Sequence, residues 1–214
     1  MIAALRFLFF LLIVRPVVLV VLGLNVRHRE RLPRRGPAIV VANHNSHLDT
    51  MVLMTLFPPA TLPRLRPLAA ADYFLKNRLF AWFARNIIGI VPLYSKEAAG
   101  LKADRLAGAT AALDRGDILI LFPEGTRGEP ERAAAFKSGV AHLAQRRPEV
   151  PVVPVFLHGL GKALPKGETV LVPFFCDVFI GEPMRWTGDK AGFMVALAAR
   201  MDALAAEGRF QPWE

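Results

Sequence analysis

Residues 36–57 read GPAIVVANHNSHLDTMVLMTLF, and the way this stretch folds constrains the rest of the chain. "GPAIVVAN" (36–43) is a short apolar run containing Ile and Val, the pattern of a strand buried in a parallel sheet. "SHLDTMVLMTLF" continues as a helix until Pro58-Pro59 stops it. Between the two stand Asn43, His44, Asn45, Ser46, His47 and Asp49. Burying such groups unpaired costs roughly 1–3 kcal/mol each, so this polar turn must gain something.

Downstream the same alternation repeats. "TLPRLRPLAAA" predicts loop then strand, "NRLFAWFARNIIG" a helix, and "IIGIVPLY" a short strand. "KEAAGLKADRLAGATAALDRG" predicts a helix ended by Gly116, a C-cap glycine. "DILILFPEGTRG" gives strand and sharp loop, "AAFKSGVAHLAQRR" a helix, and "VPVVPVFLHG" and "TVLVPFFCDVFIGEP" further strands. "DKAGFMVALAARMDALAAEG" closes as an amphipathic helix. Strands alternating with helices predict an α/β fold, a mainly parallel sheet flanked by helices. In such sheets sites gather beyond the carboxyl ends of the strands. Both polar clusters, "NHNSHLD" and "FPEGTRG", directly follow a predicted strand.

Upstream, residues 1–26 are the most apolar part of the chain, cut by Arg15-Pro16 into two runs. A proline kinks a helix and an arginine is costly at mid-bilayer, so the expectation is a two-helix motif seated in one leaflet. A kinked span and a hydrophobic helix of the soluble domain are the alternatives. Residues 27–35 follow as a basic linker; "VRHRERLPRR" holds five arginines in ten residues, suited to anionic head groups. Residues 36–214 form the main domain.

The chain has 214 residues, 53% of them hydrophobic, and a formal net charge of +9. Its mean hydropathy is +0.34 and its pI about 10.4, so a polyanionic neighbour is expected. The apolar excess favours an anionic membrane surface over nucleic acid, for which no recognition motif is present. The single cysteine, Cys176, excludes a disulfide framework and sits in an apolar run as an inert core thiol.

Of three serines, Ser46, Ser95 and Ser138, none lies in a G-x-S-x-G elbow, which argues against a hydrolase of that type. No phosphate-cradling glycine loop is present, and no H-E-x-x-H motif supports a metal at His44, His47 and Asp49. What remains is a histidine base oriented by a carboxylate. Five residues apart on one helix, His44 and Asp49 would point about 140° from each other. If His44 precedes the helix and Asp49 lies in its first turn, with Asn43 or Ser46 as cap, the carboxylate reaches the ring. His47 is the rival base. A capped helix start with a satisfied histidine is the purely structural alternative.

"NHNSHLD" fits the N-H-x-x-x-x-D signature of the glycerolipid acyltransferases, of the lysophosphatidate acyltransferase kind, and "FPEGTRG" resembles their F-P-E-G-T-R-S block. "AFKSGVAHLA" and "VPVVPVFLHG" resemble two further segments of that family, so the likeness runs from about Gly36 to Pro183. The resemblance implies a glycerol-phosphate acyltransferase-like fold, with His44 as general base and Asp49 as its partner. It implies an acceptor and phosphate site at Glu124, Gly125, Thr126 and Arg127, with Lys137 adding charge. It also implies transfer from acyl-CoA or acyl-acyl carrier protein to the hydroxyl of a lysophospholipid, most simply 1-acylglycerol-3-phosphate. No cofactor and no metal is implied, and the location is the cytoplasmic face of the inner membrane. The pattern departs at "GIVPLYS", where Ser95 stands at the family's arginine position and Lys96 follows. That opens the acceptor to lysolipids such as lyso-ornithine lipid. A thioester or lipid hydrolase and a non-catalytic basic binding module are the remaining alternatives.

Overall fold

The computed structural model describes residues 1–46, 48–74, 77–94, 104–125, 136–164 and 172–210. Seven strands form one sheet: β1 (Gly23–Arg27), β2 (Ala38–Ala42), β3 (Leu65–Ala70), β4 (Val91–Leu93), β5 (Ile118–Leu121), β6 (Val152–His158) and β7 (Phe175–Ile180). The order across the sheet is β1-β7-β6-β2-β5-β3-β4. β6, β2, β5, β3 and β4 run parallel, as the strand-helix alternation predicts. β7 turns back antiparallel to β6, and β1 pairs in parallel with β7.

Every residue of β2, β5 and β6 is buried, because helices cover both faces of the sheet. The helices are α1 (Ile2–Val21), α2 (Leu48–Thr55), α3 (Ala71–Phe74), α4 (Arg78–Phe83), α5 (Ala107–Asp114), α6 (Gly139–Arg146), α7 (Leu160–Ala163) and α8 (Lys190–Glu207). On one face Ala38, Val40 and Ala42 pack with residues of α1 and α2. On the other, Ile39 and Val41 pack with α5, α6 and α8. At the end of α5, Gly116 takes φ +75. Its N–H bonds to the Leu113 carbonyl and that of Asp117 to Ala112, the paired bonds a C-cap glycine makes.

The amino-terminal segment differs from its expected form. Residues Ile2–Val21 are one continuous helix, running through Arg15-Pro16, where two short helices were expected. The turns Phe10–Val14 and Val17–Val21 are wide π-type turns flanking the proline. Local i→i−5 bonding around a proline lets the helix pass without a break. Wider turns wind less per residue, so positions four apart stay in line. Arg6, Phe10, Val14, Val18 and Leu22 accordingly form one buried stripe. Arg6 anchors it: its guanidinium donates to the carbonyls of Leu65 and Ile88, both at 3.0 Å.

The chain then enters the sheet as β1, with Asn25 donating to Asp177 at 2.8 Å. The arginine run 27–35 is tied to the domain. Arg29 donates to the Leu56 carbonyl at 2.8 Å, and Arg31 to Ile180 at 3.0 Å and Glu182 at 2.8 Å.

Candidate active site

β2 ends at Ala42 and α2 begins at Leu48, so the polar turn sits beyond a strand's carboxyl end. Ser46 starts the helix: its Oγ accepts from Leu48 N at 3.3 Å and its carbonyl from Asp49 N at 3.2 Å. Asn43 has a different task. Its amide donates to the Leu157 carbonyl at 2.8 Å and accepts from Leu157 N at 2.7 Å. Asn45 donates to the same carbonyl at 3.1 Å, which pins the turn to β6.

His44 and Asp49 meet. His44 Nδ1 lies 2.8 Å from Asp49 Oδ2, and that oxygen also accepts from Asn45 N at 2.6 Å and Ser46 N at 2.9 Å. Asp49 is fully buried, and among the described residues its Oδ1 has no hydrogen-bond partner. Burial pushes its carboxyl above the usual carboxylate range, opposed by the bond to His44, the His44 charge and the two backbone donors. With Nδ1–H donating to Asp49, the other ring nitrogen, Nε2, is the acceptor. The ring stacks on Phe122 at 4.2 Å between centroids, and the side chain is 19% exposed, so one part of it meets solvent or substrate.

The second cluster reaches the same place from β5, the neighbour of β2. Glu124 is 4% exposed, and its Oε1 accepts from His44 N at 3.2 Å while Oε2 has no hydrogen-bond partner among the described residues. Burial raises its carboxyl above the usual range, against the opposing pull of the His44 N–H bond. Gly125 takes φ +72, a conformation that favours glycine, and the Lys137 side chain lies across it. Lys137 N in turn donates to the Pro123 carbonyl at 2.8 Å. His44, Asp49, Glu124, Gly125 and Lys137 are therefore brought to one edge of the sheet. Thr126, Arg127, His47, Ser95 and Lys96 lie outside the described residues. Phe122 and Asn43 open the two motifs and support the site, and Asn45 does the same from an unspecified position of the first motif.

Among the described residues no group of three or more His, Cys, Asp or Glu gathers to hold a metal. A shallow apolar groove opens between Phe10, Leu11, Met54, Phe57, Pro58 and Leu62. It lies at the far end of α2, separated from His44 by that helix's length of about 12 Å.

Glu124→Gln tests the cost of the buried carboxyl. A raised folded pKa means the unfolded chain ionises first, so wild-type stability falls as pH rises above the unfolded value of about 4.3. Glutamine keeps the oxygen that accepts from His44 N and loses the titration. Its melting temperature relative to wild type should therefore rise between about pH 4 and about pH 7. A difference that stays flat over that range would show that burial does not penalise the charge.

The chain was compared with known proteins. The acyltransferase family profile matches residues 23–158. A chloroplast 1-acyl-sn-glycerol-3-phosphate acyltransferase of Arabidopsis thaliana is 32% identical over 174 residues, 78% of this chain and 45% of the relative. The 1-acyl-sn-glycerol-3-phosphate acyltransferase of Pseudomonas aeruginosa is 27% identical over 183 residues, 86% of this chain and 67% of the relative. The chain thus spans about half the length of the plant relative. The crystal structure of the 1-acyl-sn-glycerophosphate acyltransferase of Thermotoga maritima superposes with a TM-score of 0.76 at 23% identity, over 99% of this chain and 81% of that one. That likeness concerns the fold.

Proposed function

The chain belongs to the acyltransferase family, and from that premise we propose that it moves a fatty acyl group from an acyl thioester to the free hydroxyl of a lysophospholipid, with 1-acylglycerol-3-phosphate as acceptor and phosphatidate as product. The observation that carries this reading is the 2.8 Å contact between His44 Nδ1 and the buried Asp49 carboxylate. In this reading His44 Nε2 takes the proton of the acceptor hydroxyl as its oxygen attacks the thioester carbonyl. Asp49 stabilises the imidazolium that forms. The C–S bond then breaks, the ester C–O bond remains, and the imidazolium returns its proton to the departing thiolate. No protein nucleophile is needed.

The acceptor's phosphate belongs over Gly125 and Lys137, with Thr126 and Arg127 next in sequence and Glu124 held to the His44 backbone N–H. An arginine fork and a lysine suit a phosphate monoester because both stay charged at working pH. The donor is acyl-CoA or acyl-acyl carrier protein, and the basic chain suits either acidic carrier. The helix α1 supports attachment to the cytoplasmic face of the inner membrane. It has a mean hydropathy of 2.5 and is long and apolar enough to cross a membrane, with 22% of its window buried. Its inner stripe is committed to the domain, while Leu5, Leu8, Leu12, Ile13, Leu19 and Val20 are exposed. A helix bound along one side and apolar on the other fits one leaflet better than a free span.

The acceptor is tested with the purified full-length protein, one labelled acyl thioester and a panel of lysolipids. Arg127→Ala should raise the KM for lysophosphatidate roughly 10- to 100-fold and leave that of the thioester nearly unchanged. Lys137→Ala should act in the same direction and less. Ser95 at the family's arginine position favours a second reading, in which the acceptor lacks a phosphate monoester, as lyso-ornithine lipid does. Wild-type preference for a zwitterionic lysolipid, with no acceptor KM change in Arg127→Ala, would establish that reading instead.

A further inference from the structure

The helix α4 and the wide turn that follows it, Ala84–Ile88, present two unlike faces. Ala84, Ile87 and Ile88 are buried against the domain. The opposite side carries Leu79, 77% exposed, and Trp82, 44% exposed. Exposed Arg78 and Arg85 flank them along the same side, spaced three and four residues apart. A soluble surface rarely spends a leucine and a tryptophan on water side by side, and a basic-flanked apolar pair is the composition of an interfacial helix.

Topology fixes where this face lies. β3 and β4 are parallel, with Leu68 opposite Val91, so α4 is the crossover between them and runs against the strands. Its first turn, capped by the Asn77 side chain on the N–H groups of Leu79 and Phe80, therefore stands at the carboxyl edge of the sheet. That is the edge at which His44 follows β2. The helix and the turn after it also pack directly beside α1. Phe9 meets Phe83 edge to face at 5.3 Å, and Arg6 donates to the Ile88 carbonyl at 3.0 Å.

We propose that α4 is a second lipid-inserting element. Leu79 and Trp82 enter the same leaflet as the outer face of α1, Arg78 and Arg85 pair with lipid phosphates, and the active-site edge of the sheet is thereby held against the bilayer. The occupant is an anionic lipid surface. The arginines supply the charge match, and contact with α1 supplies the continuity. A lysolipid would then reach His44 without leaving the interface. The inference rests on the membrane attachment proposed above for α1.

Cys176 is buried, so single introduced cysteines can carry a polarity-sensitive fluorophore. The probes are Leu79→Cys on α4, Leu12→Cys on α1 and, as a control on α8, Val195→Cys, each an exposed position. On addition of phosphatidylethanolamine–phosphatidylglycerol vesicles, labels at 12 and 79 should shift to the blue, lose quenching by aqueous iodide and gain quenching by brominated lipid. The label at 195 should not change. In the unlabelled chain, Leu79→Asp should weaken vesicle partition roughly tenfold, the loss expected for one leucine no longer buried. Its KM should rise for bilayer-embedded acceptor and not for a soluble short-chain lysolipid. Protection at 12 with none at 79 would overturn the role of α4 and leave α1 as the attachment. Protection at neither would overturn the membrane reading itself.

Discussion

His44→Ala is expected to lower turnover by at least about 10²-fold, and Asp49→Asn to fall in the same range, with the fold retained in both. The two substitutions remove different things. Alanine at 44 removes the imidazole that Asp49 orients, and with it the proton acceptor. Asparagine at 49 keeps an oxygen for the N–H groups of Asn45 and Ser46, which now bond to Asp49 Oδ2 at 2.6 and 2.9 Å. It cannot supply the negative charge that balances an imidazolium. Loss of activity with an unchanged circular dichroism spectrum and melting profile would therefore separate proton transfer from helix capping. His47→Ala is the companion measurement and should cost far less. If His47→Ala is the inactive variant and His44→Ala is not, the base has been assigned to the wrong histidine.

Removal of residues 1–22 is expected to abolish folding, where the sequence suggests an appendage that could be cut away. Phe10, Val14, Val18 and Leu22 are each at most 6% exposed and lie in the cluster that contains Val40, Leu53 and Val155. Burying four such side chains contributes about 6–12 kcal/mol at roughly 1.5–3 each, comparable with the roughly 5–15 kcal/mol by which a whole domain is stable. The truncation also strips the cover from the stripe's partners on α2 and the sheet. The shortened chain should elute as aggregate in detergent and be digested by protease under conditions that leave the full chain intact. A monodisperse, protease-resistant truncated domain would mean that α1 is dispensable and only rests on the surface. Leu12→Ser is the milder control. Position 12 is 65% exposed, so membrane binding should weaken there with stability unchanged.

The parallel sheet and the gathering of two polar turns at one of its edges were legible from pattern alone. β2, β5 and β6 are short apolar runs because a strand covered on both faces can hold little else, and such a run needs no partner to be recognised. A polar turn after each of two such strands marks the site for the same reason. Gly116 after α5 and the proline pair after α2 are punctuation that depends only on local backbone sterics. The pairing of His44 with Asp49 was legible because five residues across a strand-to-helix turn leave few alternatives.

Other features needed the folded chain. In "GLNVR" Leu24 and Val26 alternate with Gly23, Asn25 and Arg27 over only five positions, too few to stand out beside the apolar run before them, and β1 forms because β7 offers an open edge to its backbone. Arg15-Pro16 reads as a break, yet π-type turns carry α1 through it, since the domain surface rewards a straight stripe over ideal hydrogen bonding. Glu124 is eighty residues from the backbone N–H it accepts, and Asn43 and Asn45 hold a carbonyl more than a hundred residues away. Hydrophobic period and turn chemistry are written locally and can be read locally. Which polar atom satisfies which across strands is decided only when the sheet assembles, because each buried donor takes whatever acceptor the neighbouring strand presents.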